Sequence, residues 1–267
     1  MNAPEARTVA EPYVLNERDE RGVITLTLNR PQQFNALSAE MMTALQAELD
    51  VLARDDSARV VVLAARGKAF CPGHDLKQLK SKPSLDYYRR LFAQCSKLML
   101  SLQRLPQPVI ARVHGIATAA GCQLVATCDL AVAATEARFA VSGINVGLFC
   151  STPGVALSRN VGRKEAFEML VTGDFIDAET AKARGLVNRV VPAGELDAEV
   201  ARLAAAIIAL PRVAIAMGKE LFYRQIETGV EAAYQMAGET MSCNMIHDVA
   251  QEGAQAFMEK RKPRWAP

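Results

Sequence analysis

Histidine is scarce in this chain: three in 267 residues. His74, His114 and His247 lie far apart, with no ligand spacing between any two, which argues against a metal centre. The sequence also lacks H-E-x-x-H, G-x-S-x-G, the phosphate-loop G-x-x-x-x-G-K-[ST] and the dinucleotide G-x-G-x-x-G. The enzyme classes that depend on those motifs therefore lose their signature. No C-x-x-C pair occurs among Cys71, Cys95, Cys122, Cys128, Cys150 and Cys243. Most of them sit inside apolar segments, as free buried thiols do, so a reducing and cytoplasmic compartment is expected. Neither sign of charge prevails: 31 Lys and Arg face 29 Asp and Glu, a formal net charge of +2. The basic residues are scattered, which excludes a nucleic-acid partner. No uncharged apolar run reaches about 18 residues, so no membrane span is expected. The opening MNAPEARTVAEPYVL has no basic stretch followed by an apolar run, so no signal peptide is expected either.

What is present is the composition of an ordinary globular protein, 50% hydrophobic and 22% charged. The length suits one large or two modest domains with a sizeable core. VITLTLN (Val23–Asn29) alternates Ile24, Leu26 and Leu28 against Thr25 and Thr27, the period of a half-buried strand. Ser38 is placed as the N-cap of a helix carrying Met41, Leu45, Leu49 and Leu52 on one face. ARVVVLAA (Ala58–Ala65) suits a strand buried on both faces. A long helix is expected from about Ser84 to Leu105, with Tyr88, Leu91, Phe92, Cys95, Met99 and Leu102 aligned, ended by Pro106 and Pro108.

PVIARVHG and LAVAA read as further strands, with a short helix in AAGCQLVATCD between them. Gly162–Gly173 and Asp177–Gly185 bracket two short helices, and LVNRVV (Leu186–Val191) is the last strand. From Leu196 onward the pattern is helical. This alternation predicts an α/β core of mostly parallel strands over residues 1–195, then a helical region over 196–267.

Two stretches share one design: a β-branched strand, a turn of small residues, then the start of a helix. In KAFCPGHDL the turn Arg66–Gly73 leads to a helix at about Leu76, and Asp75 with Gln78 has the spacing of a capping box. In GIATAAG the run Ala117, Ala119, Ala120 and Gly121 keeps side chains clear, and a helix begins near Ala120. A helix N-terminus offers free N–H donors and partial positive charge. Two such termini facing one another would make an oxyanion hole. Read from spacing alone, the same features also serve plain strand–helix packing and capping.

KAFCPGHDLKQL resembles the G-x-A-F-x-x-G-x-D-[LI] turn of the crotonase (enoyl-CoA hydratase/isomerase) superfamily. HGIATAAGCQLVATCDLAVA is similar to its second signature, FEMLVTGDFIDAETAKARGLVNRVVP to its later segment, and QEGAQAFMEKRKP to its usual tail. The resemblance covers nearly all of Val23 to Pro263. It implies a crotonase-like spiral of repeated ββα units with a helical C-terminal trimerisation region, assembled as a homotrimer or a dimer of trimers. It further implies an acyl-CoA thioester as substrate, with coenzyme A as part of that substrate and no separate cofactor.

By position, the resemblance makes the N–H groups of His74 and Ala120 the oxyanion donors, so the backbone of His74 rather than its imidazole is the working group. It draws the substrate pocket from Ala36, Lys68, Pro72, Asp75, Leu76, Ile116, Gly121, Gly143 and Cys150. The two acid–base glutamates of hydratases fall at Gln123 and Gly143. An amide orients water without exchanging protons, and general acid–base groups contribute roughly 10²–10⁴-fold. The wording ATAAGCQL with NVGLFCSTPG is closest to an enoyl-CoA hydratase domain-containing branch that lacks this pair. Gly-His-Asp also resembles methylmalonyl-CoA decarboxylases, which carry a tyrosine near the position of Cys150.

Replacement chemistry has several candidates. Cys71, Cys122 and Cys150 are either nucleophiles or gap-filling thiols. Asn145 and Ser151 either position water or hold a loop. Lys68, Lys77, Lys80 and the Lys260–Pro263 tail either meet the CoA phosphates or form a solvated face. Arg212 and Lys219 read as surface residues.

Overall fold

The chain passes its strands back and forth between two sheets, and that alternation organises the molecule. The structure is a computed structural model describing residues 11–81 and 83–265. The N-terminal stretch tested for a signal peptide lies largely outside them.

β1 (Val14–Arg18) and β2 (Val23–Leu28) form an antiparallel hairpin. The Ser38 side chain then accepts from the Met41 N–H and starts α1 (Ala39–Leu52), which buries Met41, Met42, Leu45, Leu49 and Leu52. Three units of one kind follow. β3 (Val60–Ala65) and β4 (Ala69–Cys71) precede α2 (Leu76–Ser81) and α3 (Leu85–Arg104). β5 (Val109–Val113) and β6 (Ile116–Thr118) precede α4 (Ala120–Thr127). β7 (Leu130–Ala134) and β8 (Arg138–Ala140) precede α5 (Ser151–Leu157) and α6 (Arg163–Thr172). β9 (Ile176–Asp177), α7 (Ala178–Ala183) and β10 (Arg189–Val191) complete the strand-bearing part. α8 (Leu196–Ile208), α9 (Arg212–Gln225), α10 (Val230–Ile246) and α11 (Asp248–Met258) close the chain.

The first strand of each unit joins a six-stranded sheet of order β1-β2-β3-β5-β7-β10, and the second joins a smaller sheet of order β4-β6-β8-β9. Pairing is parallel from β2 through β10 and along β4-β6-β8. This is the ββα spiral that the family resemblance implied. β3 is buried at every position, as its β-branched run predicts.

Several elements went unannounced by periodicity. β4, β6 and β8 are three residues each, too short to display a period; β4 and β6 fall in stretches read as turns, and β8 in one given no element. The last strand begins at Arg189 rather than Leu186, because Leu186 and Val187 turn inward to the core.

One core lies between the large sheet and helices α1, α3 and α4. A second lies on the sheet's other face, where Val60, Val62, Ile110 and Val132 meet Leu196, Val200, Leu203 and Ala204 of α8. The division expected at 195/196 therefore falls at the head of a helix that closes the core sheet. Lys219 corrects the surface reading: it is 9% exposed, and its Nζ donates to Leu102 O, Gln107 O and Asp129 Oδ2 at 3.1, 2.9 and 2.6 Å. Tyr223 and the Val109 N–H also donate to Asp129, so α9 is pinned to the core at this point. Arg212 is half-buried and paired with the exposed Asp56. Among the described residues, no single helix is long and apolar enough to cross a membrane.

Candidate active site

The two small-residue turns meet. A Cβ built on Gly121 would lie 2.0 Å from the Cys71 carbonyl oxygen, and one on Gly73 would lie 3.1 Å from the Ala120 nitrogen. Both positions therefore require glycine, and Gly73 also has φ +99°. Close approach lets the turn after β4 nest directly on the head of α4. The contact is reinforced by β4–β6 pairing, in which Ala69 faces Ile116 and Cys71 faces Ala117.

The orientation of the His74 N–H follows from the pairing beside it. Leu37 and His74 form a parallel bridge in which the Leu37 N–H donates to Gly73 O at 2.8 Å. In such a bridge the flanking peptide groups of one chain bond the central residue of the other, so the His74 N–H points away from Leu37. Neither the His74 N–H nor the Ala120 N–H has a hydrogen-bond acceptor among the described residues, and no side chain caps α4. Ala119, the residue before α4, holds φ 50° and ψ −122°. That left-handed conformation is strained for alanine. The Ala119 N–H donates to Ala140 O at 3.0 Å and helps hold it there.

The His74 ring is fixed separately from its backbone. Nδ1 lies 3.2 Å from Leu37 O, and the ring meets Phe92 of α3 edge-on with centroids 5.5 Å apart. Nε2 is buried and without a partner among the described residues. Burial pushes the imidazole pKa below the ordinary histidine value, with the Leu37 carbonyl acting in the opposite sense. Asp75 accepts from the Lys77 and Gln78 N–H groups at 2.8 and 3.2 Å and caps α2 as expected. The reciprocal half of a capping box is absent, because Gln78 turns to the Ala39 N–H and Glu40 instead.

Gln123, 5% exposed, lies on α4 with Oε1 3.9 Å from Cys95 Sγ on α3. Gly143 lies in the 3-10 turn Ser142–Val146, and its N–H donates to Cys150 Sγ at 3.2 Å. A Cβ there would stand 2.5 Å from Leu148 O and 2.6 Å from Cys150 Sγ, so the loop is folded around the absence of a side chain. Thr118 and Ser142 share a 2.8 Å hydroxyl contact between the same two regions. They are 24 residues apart, and nothing in either local sequence marks them as partners.

Of the remaining expected pocket residues, Ala36 and Pro72 are half-buried beside the bridge and the turn. Leu76 and Ile116 are exposed apolar side chains. Lys68, Lys77 and Lys80 are exposed. Among the described residues, the Asn145 and Ser151 side chains donate to the Gly173 and Phe149 carbonyls. In the tail, Arg261 is engaged by Glu252 and Glu259. The thiols are not poised as nucleophiles: desolvation pushes Cys71 and Cys122 up to about 12 and raises Cys150 as well.

The family model described as enoyl-CoA hydratase/isomerase matches residues 18–267. The chain belongs to the enoyl-CoA hydratase/isomerase family. It is 48% identical over 248 residues to enoyl-CoA hydratase domain-containing protein 3, mitochondrial, of Xenopus laevis, covering 93% of this chain and 84% of that one. It is 44% identical over 260 residues to the Homo sapiens protein of that name, covering 97% and 86%.

Among solved structures, an enoyl-CoA hydratase of Mycobacterium smegmatis superposes with a TM-score of 0.95 at 67% identity, covering 96% of this chain and 99% of that one. The human enoyl-CoA hydratase domain-containing protein 3 superposes with a TM-score of 0.91 at 44% identity, covering 95% and 100%. Members of this family bind acyl-CoA thioesters and typically oligomerise. The cytoplasmic expectation is not upheld: the first curated relatives, similar over more than nine-tenths of this chain, are named mitochondrial. Free buried thiols indicate a reducing interior but do not say which one.

Proposed function

We propose that the chain is an acyl-CoA thioester enzyme of the hydratase/isomerase type, in which the N–H groups of His74 and Ala120 hold the thioester oxygen while it carries negative charge. The observation that carries this reading is the pair of unpartnered donors on turns locked together by the Gly73–Ala120 contact. Donors fixed in advance at a buried position stabilise an enolate or tetrahedral oxyanion without reorganising, and each is worth roughly 10²–10³ in rate.

Ala36, Pro72, Leu76, Ile116 and Cys150 would line the acyl and pantetheine path, with Lys68 at its entrance. Assembly as a homotrimer or dimer of trimers fits the apolar surface of the last helices, where Phe222, Ile226, Tyr234, Met241, Ile246 and Phe257 are exposed.

A second reading, a CoA-thioester-binding protein without turnover, is favoured by one observation. The Gly143 turn has no room for a side chain, and Gln123 supplies only an amide. Decarboxylation or thioester hydrolysis on the same donors is the remaining variant. The first experiment is addition of a short-chain 2-enoyl-CoA to the purified protein, followed by its conjugated-thioester absorbance. Loss of that absorbance on turnover supports the enzyme. A red shift on binding without loss supports the binding reading. Neither change would sink the thioester reading altogether.

A further inference from the structure

Ala119 is folded against its own preference. Among the described residues, Phe34, Asn35, Ala119 and Lys260 are the non-glycine residues with positive φ. Phe34, at φ 53° and ψ 25°, lies in the small left-handed helical region that any residue can enter. Ala119, at φ 50° and ψ −122°, lies in the mirror image of extended backbone, which glycine populates freely because it has no Cβ. A methyl group is thus held where its removal would relieve strain.

Both peptide groups of Ala119 are engaged. Its N–H donates to Ala140 O of β8, and its carbonyl accepts from the Gln123 N–H, each at 3.0 Å. That carbonyl belongs to the same peptide unit as the Ala120 N–H. In a trans peptide the C=O and N–H point in opposite directions. With the carbonyl aimed along α4, the Ala120 N–H is aimed out of the helix's N-terminal end, and the ψ angle of Ala119 sets its direction. The methyl group bears on the other turn. It is the atom nearest to where a Cβ on Gly73 would stand, at 2.8 Å, ahead of the Ala120 nitrogen at 3.1 Å and Thr118 O at 3.3 Å. Gly73 in turn shares its peptide unit with the His74 N–H.

We infer that Ala119 is a positioning residue for the pair of oxyanion donors: its strained backbone aims the Ala120 N–H, and its methyl group, lodged against Gly73, spaces that donor from the His74 turn. This rests on the thioester reading above and names what holds its donors in register. The strain lowers stability, and the gain is a pair of donors that need not reorganise when charge develops on the oxygen. Ala119 acts through its neighbours and carries no chemistry of its own. Trimming it to glycine separates the two effects, because the chain then loses the strain and the spacer together.

The test compares wild type, Ala119→Gly and Ala119→Ser by thermal melting and by binding of but-2-enoyl-CoA, recorded by stopped flow before any turnover. The red shift of the bound chromophore measures how strongly the two N–H groups polarise the thioester carbonyl. Ala119→Gly is expected to melt about 2–4 °C above wild type, because the strain is gone. It is also expected to shift the chromophore less and to bind it at least about tenfold more weakly. Ala119→Ser keeps the β-carbon and should retain both the shift and the affinity. A methyl group that only filled space would give the reverse pattern, a lower Tm with the shift untouched, and that result overturns the inference. A glycine variant with the wild-type shift and affinity overturns it at any Tm, and so does a serine variant that behaves like glycine. No red shift in wild type removes the thioester reading and this inference with it, whereas a wild-type shift that survives loss of the methyl removes this inference alone.

Discussion

Gly121 lies so close to Cys71 that a methyl group on it would come within 2.0 Å of the Cys71 carbonyl oxygen. The opposing atom is backbone, so it cannot rotate aside, and either α4 or the β4 turn must move. Gly121→Ala should therefore cost about 3 kcal/mol, the upper part of the overpacking range. For a chain of this size that lowers Tm by roughly 6–12 °C. A melt indistinguishable from wild type would show that the two turns are not apposed as described.

Restoring the two glutamates is the obvious way to seek hydration, and the loop geometry forbids half of it. At Gly143 any side chain meets Leu148 O at 2.5 Å and Cys150 Sγ at 2.6 Å. Gln123→Glu with Gly143→Glu is expected to lower stability by roughly 1–3 kcal/mol and to leave hydration unrestored. Gln123→Glu alone should fold, because the amide and carboxyl share one shape. Its carboxyl would be buried, and desolvation raises the pKa of such a group. Enoyl-CoA absorbance assays and thermal melts on both variants check this. Brisk hydration by the double variant would mean that the Ser142–Val146 turn rearranges readily.

Lys219→Met should be among the more damaging single changes. It removes the cation facing Asp129 and strands two backbone carbonyls, Leu102 O and Gln107 O. Breaking one partner of a buried ion pair costs about 3–5 kcal/mol. Denaturant unfolding would measure it, and a loss below about 1 kcal/mol would show that the network adds little.

Stability should fall in mild acid because of two histidines. Burial lowers the pKa of both His74 and His114. The unfolded chain takes up protons at the ordinary value of about 6.5, and the folded chain only at lower pH. Stability is thus level above about 6.5 and is lost as pH falls through that point toward the folded values. Carboxylates held near 2, such as Asp55 and Glu199, act in a separate window that opens only below about pH 5. Melts between pH 8 and pH 5 should show the loss, and His74→Asn with His114→Asn should flatten it. A flat wild-type profile would contradict the half-buried, neutral state of both rings.

Much was legible in the sequence because it depends on local pattern. Periodicity located α1 and α3, a β-branched run located β3, and Ser38 and Asp75 were readable as caps, since a cap and its helix are neighbours in sequence. The small-residue turns and their likeness to family motifs identified His74, Ala120, Gln123 and Gly143 as positions of interest.

What only the tertiary structure decided is how groups distant in sequence meet. Three-residue strands have no period to read, and they acquire identity only by pairing across the smaller sheet. Lys219 looked like a surface cation, because nothing near it in sequence names Asp129 as its partner. Gly143 read as a missing glutamate, but packing shows a position with no space for any side chain. The imidazole of His74 owes its setting to Leu37 and Phe92. Sequence carries the residues that chemistry requires, whereas distance, burial and the direction of an N–H group arise only when the chain has folded upon itself.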